Sequence, residues 1–104
     1  MAIVYIAGPI TGHADYKQQF FEAEQRLRAQ GHVVLNPAAL PVGMPYEKYF
    51  PICFAMIDVS ETVYFLRGWE KSTGARDELV YALKQRKGMQ FEKEELEREA
   101  NHEA

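Results

Sequence analysis

Ile3-Val4-Tyr5-Ile6-Ala7-Gly8-Pro9 is the stretch that decides the fold. Five apolar residues in succession, with no polar alternation, read as a strand buried on both faces, and Gly8-Pro9 ends it. Strands of that kind belong to parallel sheets with helices on each side. Downstream, past the loop Gly8 to His13, Asp15 and Gln18 stand at capping-box spacing. Tyr16, Phe20, Ala23 and Leu27 then recur at helical intervals until Gly31 stops the pattern. His32-Val33-Val34-Leu35 reads as a second strand, closed by Asn36-Pro37.

A connection containing Pro37, Pro41 and Pro45 leads to the aromatic residues Tyr46, Tyr49, Phe50 and Phe54. Pro51 is expected to open a helical segment at its first turn, since proline is disfavoured in a helix interior, with Phe54 and Ile57 on one face up to about Val59. Thr62-Val63-Tyr64-Phe65-Leu66 is β-branched and aromatic and reads as a third strand. A helix from about Thr73 to Lys87 follows, with Gly88 ending it, and Met89-Gln90-Phe91 can add a short fourth strand.

Alternating strands and helices, with buried-type strands, predict an α/β domain built on a parallel sheet of about four strands. Such open sheets bind ligands beyond the carboxyl ends of their strands. Three loops are thereby selected to line one crevice: Gly8 to His13, Asn36 to Tyr46, and Arg67 to Gly74.

At 104 residues the chain is long enough for one core, taken as residues 1–91. A hydrophobic share of 47% with 26% charged residues places it among ordinary globular domains and away from disorder. No apolar run approaches the roughly 20 residues of a membrane span, and no signal-peptide pattern opens the chain, so a cytoplasmic location is the default expectation. Cys53 is the single cysteine, which leaves no internal disulfide or cysteine-rich metal site. Residues 92–104 carry six acids against Lys93 and Arg98, a net of −4 that leaves +1 for residues 1–91. A body so nearly neutral lacks the basic stripe a nucleic-acid backbone requires. The segment 92–104, with Leu96 almost its only large apolar residue, is expected to be a solvated acidic helix or tail.

Trp69-Glu70-Lys71-Ser72-Thr73-Gly74-Ala75-Arg76-Asp77-Glu78 carries the chemistry. A hydroxyl- and glycine-bearing turn opens a helix there, and helix N-termini attract anions and hydroxyl-rich ligands through unpaired N–H groups. Helical spacing puts Glu78 on the stripe of Ala75 and Ala82, while Arg76, Asp77 and Lys84 face solvent. Glu78 either meets a ligand beside those small alanines or decorates the helix edge and pairs with Arg76 or Lys71. Ser72 and Thr73 can equally serve as ordinary N-caps.

Other chemistries lack their signatures. Gly8-Pro9-Ile10-Thr11-Gly12 has neither the third glycine of a dinucleotide fingerprint nor the Gly-Lys-Ser/Thr of a Walker loop. His13, His32 and His102 are not at metal-ligand spacing with Cys53, and no Gly-x-Ser-x-Gly elbow occurs. No metal and no cofactor are expected.

Taken together, Tyr5-Ile6-Ala7-Gly8-Pro9, the strand Thr62 to Leu66 running into Gly68-Trp69-Glu70, and Ser72-x-Gly74-x-x-x-Glu78 resemble the nucleoside 2-deoxyribosyltransferase-like superfamily. The likeness is greatest to its small phage and bacterial branch of uncharacterised proteins, with the 2′-deoxynucleoside 5′-phosphate N-hydrolases as neighbours, and it covers residues 3 to 91. The resemblance implies a flavodoxin-like three-layer sandwich and chemistry at the N-glycosidic bond of a small nucleoside or nucleotide. Glu78 would be the nucleophile at the anomeric carbon, and Tyr5 would orient its carboxylate. Gly8, Pro9, Ile10 and Trp69 would serve substrate binding. Ser72 and Gly74 would hold the 5′ side, favouring a 5′-phosphate. Family enzymes also carry an aspartate in the helix before the third strand; Cys53 occupies that register here, with Asp58 five residues further on as the remaining candidate acid. Members are commonly oligomers, so a homo-oligomer is expected, with Tyr46, Tyr49, Phe50 and Phe54 either at the interface or in the core. A non-catalytic nucleotide-binding module on the same fold is the alternative.

Overall fold

The computed structural model of the chain describes residues 1–103; Ala104 and the side chains of His102 and Glu103 lie outside the described residues, and with them the expectations placed on His102 and on the end of the acidic tail. Four strands form one sheet: β1 (Ile3–Ala7), β2 (Val33–Leu35), β3 (Thr62–Phe65) and β4 (Gly88–Phe91). Their spatial order is β2-β1-β3-β4 and all pairings are parallel, with Tyr5 opposite Leu35 on one side and Val63 on the other. Four α-helices connect and follow them: α1 (Tyr16–Ala29), α2 (Tyr46–Asp58), α3 (Thr73–Lys84) and α4 (Glu92–Glu103).

The apolar runs bury both faces of the sheet, and side chains alternate between two cores. Val4, Ile6, Tyr64 and Leu66 pack on one face against Phe20, Ala23 and Leu27 of α1. Tyr5, Ala7, Val63 and Phe65 pack on the other against Cys53 and Ile57 of α2 and Ala82 of α3. The result is the expected three-layer α/β sandwich, and the chain order reverses between β1 and β3. That reversal is the topological switch point, where crevices open in doubly wound sheets.

Several local expectations are corrected. Asp15 is the N-cap residue of α1 but makes no side-chain capping bond, and Gln18 instead donates to the Glu22 carboxylate at 2.9 Å, so no capping box forms. Pro51 does not open α2 but sits inside it, on its exposed side, and its ring leaves the carbonyl of Glu47, itself an exposed residue, without a helical partner. Gly88 begins β4 rather than ending α3; the helix closes at Lys84, and Arg86 takes the left-handed turn with φ 57°. Residues 92–103 form a helix whose first residue is anchored: Glu92 is fully buried and accepts hydrogen bonds from Arg26 Nη2 at 2.6 Å and from the Arg67 backbone N–H at 2.9 Å.

Candidate active site

The three loops selected by the carboxyl-end rule meet around one cavity of about 190 Å³. Gly8, Ile10 and Thr11 follow β1. Pro37, Leu40, Pro41 and Val42 follow β2, and Ser72 and Gly74 precede α3. The α2 residues Tyr46, Tyr49, Phe50 and Cys53 supply a largely aromatic wall, and Tyr16 and Phe20 of α1 close the far side. A pocket of this size and apolar character suits one small organic molecule.

Gly8 is glycine because β1 and β3 come too close for a side chain there. A Cβ at position 8 would lie 2.9 Å from Leu66 Cδ1, inside any real contact distance. At the start of α3, Asn-like capping is done by Ser72, whose Oγ accepts from the Ala75 N–H at 3.2 Å while its side chain still borders the cavity. One turn further, Ala75 and Glu78 face inward and Arg76 and Asp77 outward, as the helical spacing requires.

Glu78 is 8% exposed and pairs with neither Arg76 nor Lys71. Its carboxylate accepts a hydrogen bond from Tyr5 Oη at 2.5 Å, a bond linking α3 to the middle of β1 across 73 positions of sequence. Burial pushes the Glu78 carboxyl up, Tyr5 opposes the shift, and nearby Asp77 adds to it, for a pKa of about 7. The Tyr5 phenol itself is held well above its ordinary range, first by burial and then by the Glu78 charge. Cys53 adjoins that phenol, and burial raises its thiol as well. A carboxyl poised near neutrality in a cleft is the usual mark of a working acid, base or nucleophile.

Not every expected residue reaches the cavity. Asp58 lies at the exposed end of α2, where its carboxylate accepts from Tyr81 Oη at 2.6 Å, outside the cavity wall. Trp69 packs on Phe65 and Phe91, with ring centroids 5.3 and 5.7 Å away. Pro9 is buried beneath Gly68, 3.6 Å from where a Cβ there would sit. Glu78 is thus the one carboxylate among the described residues of the cavity wall, and no lysine, arginine or histidine joins it. Among the described residues no group of three or more metal-ligating side chains occurs, and no helix is long and apolar enough to cross a membrane. Thr11, Tyr16 and the α2 aromatics were not assigned from sequence; the carboxyl-end rule pointed to the loops but not to the helix that roofs them.

A family model described as a domain of unknown function (DUF4406) matches residues 2–91. None of the curated proteins matches the chain. Among solved structures, the chain is similar to a 2-desoxiribosyltransferase from Leishmania mexicana, with TM-score 0.68 and 22% identity over 88% of this chain and 63% of that one. It is similar also to a 2-deoxyribosyltransferase from the psychrotolerant bacterium Bacillus psychrosaccharolyticus, with TM-score 0.69 and 22% identity over 86% of this chain and 71% of that one. The fold is therefore nucleoside 2-deoxyribosyltransferase-like, and the chain spans under two thirds of the first of these proteins.

Proposed function

The chain belongs to the DUF4406 family, and we propose that it breaks the N-glycosidic bond of a small 2′-deoxynucleoside or nucleotide, with Glu78 as nucleophile. The observation that carries this proposal is the buried, cavity-facing Glu78 carboxylate held by Tyr5 at the switch point of the sheet. A carboxylate suits this chemistry because the transition state places positive charge on the anomeric carbon, which the carboxylate stabilises before bonding to it. Its oxygen bonds to C1′ while the C1′–N bond breaks and the electron pair leaves with the base. Water or a second base then attacks C1′ and returns the carboxylate. Tyr5 is a positioning residue: its hydrogen bond fixes the attacking oxygens and stabilises the ionised form.

The likeness to two proteins named as deoxyribosyltransferases supports the class of reaction. Ser72 and the first turn of α3 form the 5′ side of the proposed site. With no cation among the described residues of the cavity wall, Ser72 and that helix terminus are left to attract a 5′-phosphate, so nucleosides are expected to react at least as well as their monophosphates. The outer faces of α2 and α3 expose Ile52, Val59, Val80 and Leu83, which supports self-association.

The test is a panel of deoxynucleosides and 5′-monophosphates scored for base release. Wild-type protein is expected to release base from at least one, and Glu78→Gln to lose turnover while keeping binding. Because Glu78 is the one carboxylate in the wall, a non-catalytic nucleotide-binding module is the second reading. A ligand that raises the melting temperature without any base release would establish it instead.

A further inference from the structure

We propose that Tyr46 is a second catalytic residue, the acid that protonates the departing base; this rests on the N-glycosidic reaction proposed above. A leaving purine or pyrimidine carries away an electron pair and needs a proton, and with Asp58 outside the cavity no carboxylic acid stands ready to supply it. The proton must come from another group in the wall. Four phenols line the cavity, and two are committed: Tyr5 Oη donates to Glu78, and Tyr49 Oη donates to the Pro41 carbonyl at 2.7 Å. The Cys53 thiol adjoins the Tyr5 phenol, and burial raises it above its ordinary range.

Tyr46 differs from these. Among the described residues its hydroxyl has no hydrogen-bond partner, although the ring is fixed edge-to-face on Phe50 with centroids 5.0 Å apart. That hydroxyl stands over the first turn of α3, 3.2 Å from where a Gly74 Cβ would be, one helical turn before the nucleophile. Glycine at position 74 is what leaves it room. Partial burial, and then the charges of Asp77 and Glu78, raise the phenol above its ordinary range, so it carries its proton at neutral pH. Tyr16, the fourth phenol, starts α1 and packs edge-on against Phe20 in the core on the opposite face of the sheet.

The step balances. As a Glu78 oxygen bonds to C1′, the C1′–N pair passes to the base, and the Tyr46 Oη proton passes to a base nitrogen, leaving a phenolate. When water attacks C1′, the C1′–O bond to Glu78 breaks with its pair returning to the carboxylate, and the proton from water restores the phenol. Tyrosine serves as a general acid in this way in enzymes, typically for ~10²–10⁴ in rate.

The test compares wild type, Tyr46→Phe and Tyr81→Phe on two substrates. 2′-Deoxyadenosine has a base that needs a proton to leave; 7-methyl-2′-deoxyguanosine has a cationic base that departs neutral without one. Tyr46 is half-exposed, so the phenylalanine variant keeps the Phe50 contact, and an unchanged melting temperature checks its fold. Tyr46→Phe is expected to lose roughly 10²-fold or more in kcat on deoxyadenosine with little change in KM, and to match wild type on the methylated substrate. Tyr81→Phe, which alters a phenol bonded to Asp58 outside the cavity, is expected to match wild type on both. Equal loss on the two substrates, or no loss on deoxyadenosine, overturns the assignment of Tyr46 while leaving Glu78 chemistry standing. Wild-type protein that releases neither base, nor any base from the panel above, overturns both.

Discussion

At the scale of single residues, Glu78 concentrates the molecule's electrostatic cost. Its folded pKa of about 7 exceeds the 4.5 of a free glutamate, so the folded protein holds that proton more tightly than the unfolded chain does. Below about pH 4.5 both states are protonated and no penalty exists. The penalty grows as pH rises from there and is complete above pH 7, at roughly 3 kcal/mol for a shift of this size. Glu78→Gln removes the ionisable group but can still accept from Tyr5. It is expected to be more stable than wild type at pH 8 and nearly equal at pH 4, by urea denaturation at each pH; an equal difference at both would exclude the shift. Gly74→Ala makes a complementary case. Alanine favours a helix by about 0.5–1 kcal/mol over glycine, yet its Cβ presses on the Tyr46 hydroxyl. A melting temperature that holds or rises together with a fall in kcat is the expected outcome; unchanged kcat would mean that the hydroxyl's position does not matter.

Among the elements, α4 shows what local pattern cannot convey. Composition placed Glu92 in a solvated acidic segment, but it is the buried anchor of that helix, gripping Arg26 on α1 and both the backbone and guanidinium of Arg67 after β3. Those partners are 66 and 25 positions away, so no window of neighbouring residues contains the signal. Burial works to raise the Glu92 carboxyl, and the bonds from Arg67 and Arg26 outweigh it and hold it below the ordinary carboxylate range. Its stabilisation is therefore present above the unfolded pKa and lost as pH falls through the lower folded value. Glu92→Gln should cost roughly 2–4 kcal/mol at pH 7 by urea denaturation, with both arginines partly exposed and screened, and little at pH 2–3. No loss at pH 7 would show the anchor to be idle. The same limit explains Pro51: its type warns of a helix break, but only its exposed position within α2 shows why the broken bond is tolerated.

For the whole molecule, the sheet was legible because each of β1 and β3 is an unbroken apolar run, and a run of that kind has one economical use, burial on both faces. Strand order then placed three loops together at the switch point, and helical spacing aimed Glu78 at them. Tyr46 was harder to see, since an aromatic on a helix suits a core, an interface or a cavity wall equally well until α2 is laid over the loops. The central claim is that Glu78 bonds to the anomeric carbon, and intact-protein mass spectrometry during turnover of a deoxynucleoside, followed by peptide mapping, tests it most directly. An added mass of one 2-deoxyribosyl group, located on Glu78 and missing from Glu78→Gln, is the expected result; base release with no adduct, or with an adduct on another residue, would contradict it.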